Sequence, residues 1–273
     1  MNLEKLSFEA PYVTTPQMVE VDRAMIEDFK IELIQMMENA GRNLAHLTRI
    51  RFLDGDPQGR RVIVLAGGGG NGGGALVAAR RLHNWGAWVE VILGQPPSAM
   101  SEIPVHQLEI VERMDISVMA ASAVANLAPA TVILDGLIGY GLKGPPRGAV
   151  AALIRWANGQ SAPTLALDVP SGVDTTNGTF FDPVIHAAAT MTLALPKEGL
   201  RTPGVERLVG ELYLADISVP PALYHRPPLN MRVEPLFARD EVIRCVEPAR
   251  FMLLGSAAQE HAQSRAEHRR SSR

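Results

Sequence analysis

Cysteine is almost missing from this chain. Cys245 is the only one in 273 residues, which excludes an intramolecular disulfide framework and any metal site built from several cysteines. An excess of one charge is missing too. Lys and Arg number 26 against 29 Asp and Glu, a formal net charge of −3, and the sequence pI is ≈ 6.2. Such a chain carries no general electrostatic footprint for nucleic acid, so none is expected as a partner. No apolar run approaches the roughly 18 residues that span a bilayer. The opening MNLEKLSFEA is acidic and lacks the apolar centre of a secretory leader. No membrane association and a cytoplasmic location are therefore expected. No internal repeat is visible. What the chain does have is ordinary apolar mass, 47% hydrophobic against 20% charged. That is enough for one α/β domain with extensions or two small domains, and it excludes a wholly disordered polymer. It also has an uneven supply of glycine: of 24, seven stand together in Gly67–Gly74.

Before the glycines the pattern is helical. Thr15 suits an N-cap and Pro16 the first helical position, where its missing N–H costs nothing. Met18, Val21, Met25 and Phe29 recur at helical spacing. Leu33, Met37, Ala40, Leu44 and Leu47 follow at intervals of 4, 3, 4 and 3, so a second helix is expected, ending at Leu53-Asp54-Gly55-Asp56-Pro57. From Arg60 onward, strands alternate with helices. Expected strands are Arg61–Ala66, Trp88–Leu93, Ile116–Met119, Thr131–Asp135, Thr164–Asp168, Ala189–Leu195 and Leu208–Ala215; expected helices are Leu76–Trp85, Val105–Arg113 and Gly148–Ala157. Continuous apolar strands separated by helices predict a parallel sheet covered on both faces. After Pro220 the chain turns proline-rich and then polar with a basic end. The expected division is a nucleotide-binding domain over 1–224 and a tail over 225–273, partly disordered and dispensable for the core beyond Pro228. Phe237–Leu254 is apolar enough for one helix or a docked arm.

Ligands in an open parallel sheet bind beyond the C-terminal strand ends. The glycine run follows the first strand and opens a helix, an arrangement that lets backbone N–H groups approach an anion. Gly67, Gly69 and Gly72 satisfy G-x-G-x-x-G, as such a run would satisfy many patterns. A hydride-transfer dinucleotide site also needs an acid at the end of the next strand. Glu90 lies inside that strand instead, and no Gly-Lys-Ser/Thr follows the loop to make a P-loop. Two later strands end in aspartate, Asp135 and Asp168, each running into a glycine- or proline-bearing loop. Asn71, Asp135 and Ser171 thus offer an amide, a carboxylate and a hydroxyl around one crevice, hard donors suited to an alkali or alkaline-earth ion; separate turn caps are the plain alternative. Ser171 follows Pro170, so it lacks the G-x-S-x-G elbow of a hydrolase nucleophile. Lys197 lies after a late strand at the same edge, a place where a lone lysine is more often a surface cap. Of the seven histidines, the four other than His225, His261 and His268 fit no ligand pattern, and most are expected to be solvated or tail residues.

Several motifs in order carry a family resemblance: VTTPQMVEVDRAM, MENAGR at Met37–Arg42, the glycine loop with LVAARRL, DGLIGYGLKG, and LDVPSGVDTTNG. From Val13 to Pro220 the chain resembles the NAD(P)H-hydrate epimerases, the YjeF N-terminal-domain family. The resemblance implies a Rossmann-like three-layer α/β/α sandwich with a mostly parallel sheet and an N-terminal helical extension, often assembled as a homodimer. It implies an isomerase that interconverts the R and S forms of NADHX and NADPHX for a separate dehydratase. It implies a potassium ion held by Asn71, Asp135 and Ser171. It implies substrate contacts at Gly70, Asn71, Gly72, Gly73 and Gly74, at Gly139, Tyr140, Gly141, Leu142, Lys143, Gly144 and Pro145, and at Asp168. The family loop reads Asn-Asn-Gly-Gly-Asp-Gly; Gly70 replaces its first Asn and Gly74 its Asp. Epimerisation can proceed by loss and return of the hydroxyl beside the ring nitrogen, which needs an acid and a base. Asp168 is the first candidate for that proton transfer. The alternative is a catalytically degenerate nucleotide-binding or scaffold protein on the same fold, since relatives of the domain serve as dimerising scaffolds in mRNA-decapping proteins.

Overall fold

The computed structural model describes residues 10–245. Two helices come first, α1 (Thr15–Glu27) and α2 (Leu33–Phe52), followed by β1 (Arg61–Ala66), α3 (Gly70–Asn84), β2 (Trp88–Leu93), α4 (Glu102–Arg113), β3 (Ser117–Ala120), β4 (Val132–Gly136), α5 (Gly148–Asn158), β5 (Thr164–Leu167) and β6 (Ala189–Leu193). A short helix α6 (Glu206–Val209), β7 (Glu211–Ala215), α7 (Pro221–His225) and β8 (Val242–Arg244) complete the order. Eight strands form one sheet in the order β3-β2-β1-β4-β5-β6-β7-β8. Every pairing is parallel except β7 with β8.

The strand order reverses between β1 and β4, where Leu65 lies beside Asp135 and Ala66 beside Gly136. That is the switch point at which connections leave for opposite faces and open a crevice. One face of the sheet (Val62, Val64, Val91, Leu134, Leu167) packs against α2, α3 and α4 through Leu44, Leu47, Leu76, Leu82 and Leu108. The other (Ile63, Leu65, Ile133, Ala166) packs against α5 through Leu153 and Ile154. The result is the expected three-layer α/β/α sandwich.

Element boundaries move where tertiary contacts outweigh local preference. Thr14, not Thr15, caps α1, because Gln17 then falls at the third helical position and closes a reciprocal capping box. α3 begins inside the glycine run, six residues before the expected Leu76. Glycine is a poor helix former, but here it lets two helices touch: a Cβ on Gly41 of α2 would lie 2.4 Å from the Gly74 carbonyl oxygen. Leu208 and Val209, expected in β7, belong to α6, and Gly210 at φ 63° turns the chain into the strand.

The expected boundary at 224 does not fall at an edge of the packed unit. Leu229 and Val233 join a cluster with Met18, Met25 and Tyr224. Val242 and Ile243 are buried in β8, with Ile243 opposite Leu214. The segment 225–245 thus contributes buried side chains to the packed unit. Prolines delimit its turns, while its few apolar residues are spent on one strand and one cluster, too sparsely for a periodic signal. Residues 246–273, including much of Phe237–Leu254, lie outside the described range.

Candidate active site at the switch point

Three loops leave the C-terminal ends of β1, β4 and β5 at the reversal point. The first is tight because backbones meet there. A Cβ on Gly67 would lie 1.9 Å from the Leu137 carbonyl oxygen, and one on Gly72 would lie 1.8 Å from that of Gly67. Gly73 and Gly74 turn toward Met37 and Leu167. Gly72, Gly73 and Gly74 are buried packing positions of α3. Gly69 and Gly70 have open space where a side chain would stand. The first backbone N–H groups of a helix have no partner inside it, so an anion approaching this end of α3 meets Gly70 and Asn71 first.

Asn71 is held at its amide: Nδ2 donates to the Leu167 carbonyl at 2.7 Å. Its Oδ1 faces the next loop, 2.5 Å from where a Cβ on Gly139 would sit. Gly139 is therefore required there. Asp135, at the end of β4, is buried. Its Oδ1 accepts from Ser171 Oγ at 2.7 Å and from the Leu137 N–H at 3.2 Å, and its Oδ2 accepts from the Ser171 N–H at 2.8 Å. Ser171 Oγ also accepts from the Ile138 N–H at 2.9 Å. Burial pushes the Asp135 carboxyl up to about 6. Asp135 and Ser171 thus touch one another, and Asn71 abuts the same loop from across Gly139. Among the described residues no lysine or arginine pairs with Asp135, and no group of three or more His, Cys, Asp or Glu could hold a metal. The donors are oxygen only and include one buried carboxylate without a cation. That set fits a weakly hydrated hard cation such as potassium better than zinc.

Asp168 follows β5 with φ 67°, a left-handed conformation that aspartate tolerates better than most side chains. This backbone aims its carboxylate at Lys197, whose ammonium donates to Asp168 Oδ1. Oδ1 also accepts from the Leu193 N–H at 3.2 Å. Lys197 Nζ donates further to the Leu193 carbonyl at 2.8 Å and to Thr192 Oγ1 at 3.3 Å. Side-chain exposure is 1% for Lys197 and 3% for Asp168. The expected surface cap is instead a buried ion-pair partner. The N-terminal arm fixes it in place: Val13 donates its N–H to the Pro196 carbonyl at 2.8 Å and accepts from the Glu198 N–H at 2.9 Å.

The loop after β4 carries Gly139, Tyr140, Gly141, Leu142, Lys143, Gly144 and Pro145, with Gly141, Lys143 and Pro145 exposed. Its Tyr140 hydroxyl donates to Asp22 Oδ2 on α1. Burial raises the Asp22 carboxyl, and the field of Asp168 adds to that; the bond from Tyr140 and the charge of Lys197 oppose it. Asp22 escaped the sequence reading. Its signal was position: it stands on the same helical stripe as buried Met18, Val21 and Met25, where a solvated carboxylate has no place. Glu90 pairs with Arg61 at 2.5 Å within the sheet, and β2 runs on to Leu93, so the acid of a hydride-transfer dinucleotide site is not supplied there.

Fold and crevice together define a Rossmann-like α/β protein with a polar crevice at its switch point. Residues 33–199 match the family described as YjeF-related protein N-terminus, and the chain belongs to that family. It is 43% identical to an NAD(P)H-hydrate epimerase of Dehalogenimonas lykanthroporepellens, over 83% of this chain and 89% of that one. It is 34% identical to the NAD(P)H-hydrate epimerase of Rhodopirellula baltica, over 78% of this chain and 86% of the relative. The bifunctional NAD(P)H-hydrate repair enzyme Nnr of Salinibacter ruber is 34% identical over 79% of this chain, but the match spans only 42% of that longer protein. The crystal structure of a yeast protein, ynu0 (YNL200c), superposes with a TM-score of 0.73 at 23% identity, covering 86% of this chain and 99% of the yeast chain. Among the described residues no helix is long and apolar enough to cross a membrane.

Proposed function

We propose that this protein is an NAD(P)H-hydrate epimerase acting on NADHX and NADPHX. The observation that carries the proposal is the near full-length match to single-function relatives of that name, on a chain whose switch-point crevice holds a buried acid–base pair. In the hydrated cofactor a hydroxyl stands on the carbon beside the ring nitrogen. The nitrogen lone pair expels that hydroxyl as water once it is protonated, leaving an iminium. Water then adds to either face and gives up a proton. Asp168, paired with Lys197 in a buried setting, is suited to take that proton. Lys197 holds the carboxylate in one orientation with its second and third bonds to Leu193 and Thr192, so little reorganisation is required when charge moves.

The phosphates of the dinucleotide are assigned to the open end of α3 at Gly70 and Asn71, with the Gly139–Pro145 loop closing over the substrate. Gly72, Gly73 and Gly74 contribute shape rather than contact, as their packing against α2 and β5 supports. Asn71, Asp135 and Ser171 are assigned to a potassium ion, which when bound supplies positive charge beside the buried carboxylate. The longer bifunctional relatives, of which this chain matches less than half, support a functional link to a separate dehydratase. Turnover of R-NADHX, read by coupling to a dehydratase specific for the S form, with potassium and with a bulky organic cation in its place, tests the assignment. A folded protein with no rate above the spontaneous one refutes it.

One observation favours the scaffold alternative. Gly70 and Gly74 stand where the family has Asn and Asp, which removes two polar groups from the loop. Binding of NADPH without epimerisation would decide for it.

A further inference from the structure

Asp22 lies in the VTTPQMVEVDRAM motif but outside the strand-end loops, on the N-terminal helix that precedes the sheet. Yet it is bonded to Tyr140 of the loop that follows β4. Its helix neighbours Val21 and Met25 pack in one cluster with Tyr140 and with Ala194 and Leu195, which lead to Lys197, and the charges of Asp168 and Lys197 act on its carboxyl. The crevice therefore gathers two carboxylates and one ammonium from three distant parts of the chain. The ammonium is bonded to Asp168. Asp22 forms no ion pair among the described residues; only the phenol hydroxyl holds it, at one of its two oxygens. Groups facing it are Tyr140, Asp168, Lys197 and, from α7, the buried Tyr224, whose hydroxyl feels the Asp22 charge. Arg23, its chain neighbour, is engaged with Glu20, Glu27 and Asp28.

We propose that Asp22 is the second proton-transfer group of this site, the acid opposite the Asp168–Lys197 base, held in register by Tyr140. The proposal rests on the epimerase assignment above. In the forward step the Asp22 carboxylic acid gives its proton to the substrate hydroxyl, the carbon–oxygen bond breaks, and water departs as the ring nitrogen forms the iminium. In the return step water bonds to the carbon from the other face and its proton passes to Asp168. A proton transfer between the two carboxyls through an intervening water molecule resets the pair, so substrate and product differ only in configuration. Two carboxyls whose surroundings differ in this way divide naturally into acid and base. Burial raises Asp22 and so favours its acid form, in agreement with that division.

The test compares wild type, Asp22→Asn and Tyr140→Phe, each checked for fold by circular dichroism and for NADPH affinity. Asparagine still accepts the Tyr140 bond but carries no transferable proton. Its kcat is expected to fall about 10²- to 10⁴-fold with KM within about threefold of wild type. Tyr140→Phe removes a bond that favours the ionised carboxylate. An acid must be protonated to act, so the alkaline limb of the kcat profile moves to higher pH. If Asp22→Asn fails to fold, that displaced limb alone carries the test. A folded Asp22→Asn enzyme within about threefold of wild-type kcat, or a limb that stays in place in Tyr140→Phe, overturns the role of Asp22 while leaving the epimerase assignment standing. A wild-type protein without turnover overturns both.

Discussion

Replacing Lys197 by methionine should be among the most damaging single changes outside the apolar core. The side chain is 1% exposed and its carboxylate partner 3%, so neither charge can turn to water when the other is lost. Methionine fills much of the lysine's volume, which keeps the cavity contribution small. What remains is an orphaned buried carboxylate and two acceptors, the Leu193 carbonyl and Thr192 Oγ1, without their donor. Breaking a buried pair by removing one partner typically costs about 3–5 kcal/mol. For a chain of this size that corresponds to a fall in Tm of roughly 6–20 °C. Asp168→Asn should cost a comparable amount, because it leaves the ammonium. The double variant removes both charges and should cost clearly less than the two singles together, with a coupling of about 2–3 kcal/mol. Urea unfolding of the four proteins at pH 7 supplies the cycle, with unchanged m-values as the check that the same surface unfolds. Single costs below about 1 kcal/mol, or a coupling under about 0.5 kcal/mol, would show that the pair behaves as an exposed one and that its burial is not what orients Asp168.

Asp135→Ala should make the epimerisation rate indifferent to potassium and weaken NADPH binding; a folded variant that keeps a wild-type potassium response removes Asp135 from the ion site. A chain truncated after Pro228 loses Leu229, Val233, Val242 and Ile243, each buried and each worth about 1.5–3 kcal/mol when fully so. Its Tm should fall by more than about 10 °C, and an unchanged midpoint would show that β8 and the 229–233 segment are ornaments. Gly74→Asp places its Cβ 3.0 Å from Leu167 Cδ2, so the new carboxylate is crowded and largely buried. Stability should drop by about 1–3 kcal/mol while turnover rises if a second loop carboxylate is what this chain lacks. Unaltered turnover in a folded variant would show that it is not.

The sheet was legible because its strands are continuous apolar runs. Arg61–Ala66 and Trp88–Leu93 have the limits that the sequence predicts, since a strand buried on both faces has little freedom in composition. The switch-point location followed from the same pattern. Asp135 and Ser171 were placed in one crevice by loop position, and they are hydrogen-bonded there. Lys197 was not legible as a site residue. Three residues of irregular chain separate it from the end of β6 at Leu193, and its burial depends on Val13, 184 positions away, closing over the Pro196–Glu198 backbone. No local pattern encodes that staple.

The glycine loop shows how composition misleads about role. Seven glycines suggested a phosphate cradle throughout, but their reasons differ from one position to the next. Gly67 and Gly72 are required because one backbone lies against another. Gly73 stands against the Met37 side chain of α2, and Gly74 against Leu167 of β5. Only Gly69 and Gly70 leave open space. Gly74 therefore lies on a packing surface and not on the open rim, against Leu167, whose carbonyl holds the Asn71 amide. The residue after Leu167 is Asp168. A change at Gly74 thus reaches the ion-site amide and the paired carboxylate through a single strand end. Its effects on cation affinity and on turnover should appear together rather than separately.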